Sequence, residues 1–166
     1  MYAWQFAKAQ YTANLHGWTR FVAMQNHYNL VYREEEREMI PFCVDQRVAV
    51  VPWSPLARGF LAGNRTREKG GDTKRSRTDT WAHGAYYLES DFDVVEEVKA
   101  VAAEHGIQPA QIAMAWLLHK PQVTCPVVGA TKLDHLEEAV SALNVELTEE
   151  EIARLEACYA PHSVAM

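Results

Sequence analysis

The chain has 166 residues, 48% hydrophobic and 23% charged, enough for one domain (residues 1–166) with a real core, which excludes a disordered or fibrous protein. Its formal net charge of −6 argues against nucleic acid as a partner, MYAWQFAKAQ lacks the apolar core of a signal peptide, and no apolar run approaches the length that spans a bilayer, so no membrane is expected. Cys43, Cys125 and Cys158 form no CxxC pair, and the seven histidines form no HxxxH or HxH pair, so the expectation is a reduced, cytoplasmic setting without metal or disulfide framework.

Tyr2 to Gly17 carries Trp4, Phe6, Ala7, Tyr11 and Leu15 loosely at helical spacing, with Gly17 as a stop, so the chain is expected to open on a helix. Phe21 to Met24 is a short apolar stretch that gives way to Gln25, Asn26 and His27, the pattern of a strand whose carboxyl end turns polar and can hold a ligand. Glu34 to Gln46 reads as a helix with an acidic first turn and with Pro41 as a kink. Val48, Val50 and Val51 then form a β-branched run without polar alternation, as in a parallel strand covered on both faces, and Pro52 ends it.

Chemistry is expected in the stretch from Val48 to Gly63, VAVVPWSPLARGFLAG. Trp53 offers an amphipathic ring at the strand's carboxyl end, where ligands of α/β proteins collect. Ser54 and the amides near Gly59 can donate to phosphate oxygens, and Gly59 and Gly63 permit close approach or positive φ. The structural alternative is a Trp plugging the core above an ordinary glycine-bearing turn. From Trp53 to Glu89 there is no periodic element, so 53–89 reads as one long covering loop, far beyond the usual connection of about 4–6 residues. Arg58, Arg65, Arg67, Lys69, Lys74, Arg75 and Arg77 outnumber the acidic Glu68, Asp72, Asp79 and Glu89 there, which fits either a solvated loop or a flap closing over an anion.

Helix resumes with Ser90 as N-cap and Asp93 three residues on, and stops at Gly106; a second begins near Pro109 and ends around His119 and Lys120. Val123 to Val128 is a third strand. Gly129 leads from it into a helix with Leu133, Leu136, Val140 and Leu143 at heptad-like spacing, a second place where helix amides can meet phosphate, decorated by Thr131, Lys132 and His135. The capping box Thr148 to Glu151 announces the last helix, which ends before Pro161. Strands alternating with helices define an α/β protein with a parallel sheet, and the absence of G-x-G-x-x-G and G-x-x-x-x-G-K-[ST] favours a barrel over a doubly wound nucleotide fold.

MQNHYNLVYREEE, VPWSPLARGFLAG, PAQIAMAWLLHKP, VVGATKLDHLEEAV and ELTEEEIARLE, in this order, resemble the aldo-keto reductases, in particular the long-loop branch that includes bacterial reductases and potassium-channel beta subunits. These are motifs of that family's carboxyl-terminal half. The resemblance implies a partial (β/α)8 TIM barrel, the last three strands with their helices, and an NADPH-binding portion of a carbonyl-reducing enzyme. It implies that Gln25 bonds the nicotinamide carboxamide, that Trp53 stacks on the nicotinamide ring, and that Ser54, Pro55, Leu56 and Gly59 wrap the pyrophosphate. Gly129, Thr131, Lys132 and His135 resemble the 2′-phosphate segment, Glu138 falls near the adenine or ribose, and Arg77 falls in the phosphate clamp. Ala139 stands where many members have an amide for the adenine.

The family's catalytic aspartate, tyrosine, lysine and histidine lie on early strands, and none of those motifs occurs here, so no catalytic residue is assigned; Tyr28, Tyr32, Tyr86 and Tyr87 are read as packing or loop groups. A half barrel leaves strand edges and interior side chains open, so a missing N-terminal half or a second copy, as in a homo-oligomer, is expected to cover them. The alternative is an inactive NADPH-binding or partner-regulating module. Substrates are expected to be small carbonyl compounds.

Overall fold

The computed structural model describes residues 1–67 and 79–164. Helix α1 (Ala3–His16) stops at Gly17, whose φ of 66° is the left-handed cap a side chain resists. Strand β1 (Ala23–Met24) pairs in parallel with β2 (Ala49–Val50), Ala23 beside Ala49 and Met24 beside Val50. The ladder continues past the named strands: the N–H groups of Ala49, Val51 and Trp53 donate to the carbonyls of Val22, Met24 and Asn26, each at 2.9 Å, and His27 bridges Trp53.

The third segment joins on the other side of β2, where Val123 bridges Val50 and Thr124 N–H donates to Val50 O at 2.8 Å. Expected as a strand from Val123 to Val128, it makes this single bridge. A parallel ladder takes a donor from every second residue, so the next rungs fall to Pro52 and Pro126, neither of which has an N–H. Val127 donates to Pro52 O instead, at 2.7 Å, one residue late.

Between β1 and β2, the helix expected over Glu34–Gln46 is split into a 3₁₀ turn (Glu34–Glu36) and α2 (Met39–Gln46). Pro41 explains the split: it cannot sit in a helix interior, so α2 begins two residues before it and keeps it in the first turn, where an N–H has no helical acceptor. The span 53–89 differs from the single loop expected, since it holds a 3₁₀ segment (Ala57–Ala62) and helix α3 (Thr80–Ala85), and residue 89 already belongs to the next helix. Lys69, Lys74, Arg75 and Arg77 lie outside the described residues. Helix α4 (Glu89–His105) starts earlier than a Ser90 cap requires, because the buried Asp91 carboxylate accepts the Leu88 N–H at 3.0 Å from inside the first turn. Then follow α5 (Pro109–His119), α6 (Leu133–Ser141) and α7 (Glu149–Ala157), the last opened by the Thr148–Glu151 capping box.

The core gathers helices α4, α5 and α7 with the 3₁₀ segment Ala57–Ala62 and the turn after β1, with Tyr28, Leu30, Phe60, Val98, Ile112, Trp116 and Leu155 shut off from solvent, while α2 packs on β2. A polar cluster locks it. Tyr28 Oη donates to Glu36, Arg33 grips Glu36 through Nε and Nη2 at 3.0 and 2.9 Å, and Glu156 accepts from Arg33, from Trp116 Nε1 and from Lys120. The C-terminal segment is tied to the same region: Tyr159 Oη receives Arg33 N–H and donates to Glu34, and His162 meets Asp91 at 3.0 Å. Apolar side chains also stand open to solvent, with Phe21, Val22, Val127, Leu133, Leu136, Val140 and Leu143 all exposed. Trp116→Ala removes a buried ring and the donor to Glu156 together; urea denaturation is expected to show a loss of about 3–5 kcal/mol through a lower midpoint.

Candidate functional site

Parallel pairing brings the carboxyl ends of β1, β2 and the Val123 segment to one side, and the polar side chains of three chain segments meet there. Asn29 and Tyr32 exchange N–H···O bonds at 3.1 Å, folding the chain back on itself just after β1. This turn lays Tyr32 on His27, ring centroids 4.0 Å apart and 13° from parallel, while the ladder lays His27 on Trp53 at 4.3 Å and 16°. The result is a column, Tyr32–His27–Trp53. Trp81 of α3 stands 5.6 Å from His27 and 5.7 Å from Trp53, so it flanks the stacked pair instead of capping it.

His27 sits in a small hydrogen-bonded cluster. Val31 N–H donates to Asn29 Oδ1 at 3.1 Å and Asn29 Nδ2 donates to the Ser54 carbonyl at 3.0 Å, so the orientation of the amide is set by two partners. That same Nδ2 lies 3.3 Å from His27 Nε2, and Tyr86 Oη lies 2.6 Å from it. Nδ2 also lies 3.4 Å from Tyr86 Oη, and Nδ1 of the ring has no partner among the described residues.

The chain after Trp53 is held in unusual backbone. Ser54, Ala57 and Arg58 have φ of 54°, 47° and 58°, in the left-handed region that costs an L-residue roughly 1–2 kcal/mol, and Gly59 and Gly63 have φ of 91° and 76°. Such strain gathers at ligand clamps and is kept only where neighbours enforce it. Here the enforcement comes from Arg65, buried at 4% exposure, which donates to Arg58 O at 2.8 Å and to Tyr87 Oη at 2.7 Å. Arg58 reaches Asp79, which also caps α3 through Ala82 N–H. Two of the seven cations read in the sequence as loop charge are thus structural braces.

Of the residues singled out in sequence, Gln25 is exposed at the level of Val51, on the strand face shared by His27, and Trp53 is half-buried. Ser54 and Leu56 are half-buried and Pro55 is buried; the Gly59 N–H is engaged by Leu56 O at 2.8 Å. The Val127–Pro52 bond carries the chain toward Gly129, whose α-carbon has open space around it. Thr131, Lys132 and His135 are exposed, and α6 starts after Lys132 without a side-chain cap. Glu138 is half-buried and its carbonyl accepts Ser141 Oγ at 2.7 Å. Arg77 lies outside the described residues. Asn29, Trp81 and the Tyr86–His27 bond carry no local sequence signal. Tyr28, Tyr32 and Tyr86 are buried, and burial raises the hydroxyl pKa of Tyr28 and Tyr86, which suits packing.

The sequence model of the Aldo/keto reductase family matches residues 1–160. A Schizosaccharomyces pombe protein provisionally named an aryl-alcohol dehydrogenase is 41% identical over 161 residues, 97% of this chain and 45% of the relative. Versiconal hemiacetal acetate reductase of Aspergillus parasiticus is 42% identical, over 99% of this chain and 48% of the relative. An aldo-keto reductase of Fusarium vanettenii is 40% identical, over 99% and 44%. The chain spans about half the length of the curated relatives it matches.

Burial, together with the charge of His162, lowers the His27 pKa to about 3, so the ring stays neutral in the folded protein while the unfolded chain titrates near 6.5. Between those values the unfolded state binds the extra proton, so stability falls as pH falls, by up to about 1.4 kcal/mol per pH unit. His162 is shifted the other way: burial disfavours its charge, but the Asp91 bond outweighs that and raises its pKa, so its contribution is fully present below 6.5 and lost only at higher pH. Urea denaturation between pH 6.5 and 5 is expected to show this acid-side slope in the native chain and a shallower one in His27→Phe.

Proposed function

The chain belongs to the aldo/keto reductase family, and we propose that within it this chain is the NADPH-binding portion, built on the last three strands of a (β/α)8 barrel. The observation that carries this reading is the parallel register, which sets Gln25, Trp53 and the approach to Gly129 at the same end of adjacent strands. Ligands of such sheets and barrels bind at that end. The donor set fits a phosphorylated dinucleotide: an exposed primary amide at Gln25, a half-buried indole, a left-handed loop behind it, and the exposed cations Lys132 and His135 at a helix start.

In this reading Gln25 bonds the nicotinamide carboxamide and Trp53 stacks on the ring. Ser54, Pro55, Leu56 and Gly59 surround the pyrophosphate, with Arg77 as part of the clamp. Gly129, Thr131, Lys132 and His135 receive the 2′-phosphate, and Glu138 stands by the adenine or ribose. NADPH, when bound, supplies the hydride for reducing a small carbonyl substrate. The exposed apolar side chains, from Phe21 and Val22 to Leu143, are covered by the rest of a barrel, supplied by an N-terminal half or a second copy. A second reading, an NADPH-binding module without reductase chemistry of its own, is favoured by the burial of Tyr32 and Tyr86, the phenols packed on His27.

Fluorescence titration with NADPH and NADH tests the site. Trp53→Ala is expected to weaken both cofactors about tenfold, and Lys132→Ala to weaken NADPH about tenfold while leaving NADH unchanged. Binding indifferent to both substitutions would remove the site from these residues.

A further inference from the structure

The column around Trp53 has a direction. Tyr32 covers one face of His27 and Trp53 the other, so the three rings lie in sequence with Trp53 at the end. Trp81 is equidistant from His27 and Trp53 and therefore beside the pair, which keeps it off the outer face of the indole. Packing alone does not call for an imidazole here. A hydrocarbon ring would stack as well and would leave no buried nitrogen without a partner, as Nδ1 is left among the described residues. What the imidazole adds is a polar edge at Nε2, 2.6 Å from Tyr86 Oη and 3.3 Å from Asn29 Nδ2, and Asn29 also holds the Ser54 carbonyl. One side chain thus couples the plane of Trp53 to the first residue of the strained loop.

We infer that His27 is a positioning residue: it backs the inner face of Trp53, holding the indole as a terminal plate on which a flat heteroaromatic ring extends the column by one member. This rests on the proposed cofactor site and names the element that aligns its nicotinamide end. Tyr86 belongs to the same brace. At 3% exposure and bonded to Nε2, it reaches no substrate and serves to keep the imidazole in plane.

The consequence is selective. Loss of the plate disturbs the nicotinamide end and leaves the adenosine 2′-phosphate end, on α6, untouched. The probes are NADPH and adenosine 2′,5′-bisphosphate, which lacks nicotinamide, titrated against the full chain and against His27→Phe, His27→Gln and Trp53→Ala. His27→Gln, which keeps hydrogen bonding and loses the ring, is expected to weaken NADPH about tenfold and the bisphosphate by less than twofold. His27→Phe, which keeps the ring, is expected to stay within about threefold of the native chain for both probes. Equal losses for both probes, or a Gln variant that binds better than the Phe variant, overturn the inference while the site stands. A native chain that binds neither probe, or Trp53→Ala without effect on NADPH, overturns the site and the inference with it.

Discussion

Parallel pairing delivers every strand of a sheet to the same side, and in this chain that constraint decides where chemistry can be built. β2 sits in the middle, bonded on one side to β1 by regularly spaced rungs and on the other to a segment that Pro52 and Pro126 allow only a few. A sheet this small has little cohesion of its own, because short strands draw their stability from what covers them. Cover comes from α2, which packs on β2. At their carboxyl ends the strands meet the aromatic column, where the rungs stop and side chains take over the work of holding the strand ends together.

Two polar systems share that work and differ in kind. Around Trp116, Arg33, Glu36, Glu156 and Lys120 neutralise one another, so that none of these charges is buried without its counterpart. At the strand ends, the Asn29–His27–Tyr86 system carries no charge. It works by direction, since the amide cannot be turned without losing both Val31 N–H and Ser54 O. The first system holds elements together; the second sets the angle of a ring and the start of a loop that its own backbone would not choose.

Much of this is legible in the residues. The left-handed stop at Gly17, the capping box at Thr148 and the valine run of β2 each rest on a local rule, and each yields the expected element. The positive φ of Gly59 and Gly63 follows from the glycines themselves. What sequence reading misses is non-local. Helix α3, with the sequence TWAHGA, has no apolar stripe to announce it, and it is held by Trp81 docking on the rings of Trp53 and His27, 28 and 54 positions away. Arg65 looks like any loop cation until a tyrosine and a carbonyl enclose it. The third strand is shortened by an arithmetic of rungs that depends on which residue of β2 lies opposite each proline.

The bonds from Tyr159 and His162 to the Arg33–Glu34 turn span 126 and 128 positions of sequence. During synthesis on a ribosome the turn after β1 therefore waits for its clasp until the final helix has cleared the exit tunnel. Over that interval the first strand and its aromatic turn are held only by weaker, nearer neighbours, so their last adjustment is a late event in the birth of the molecule.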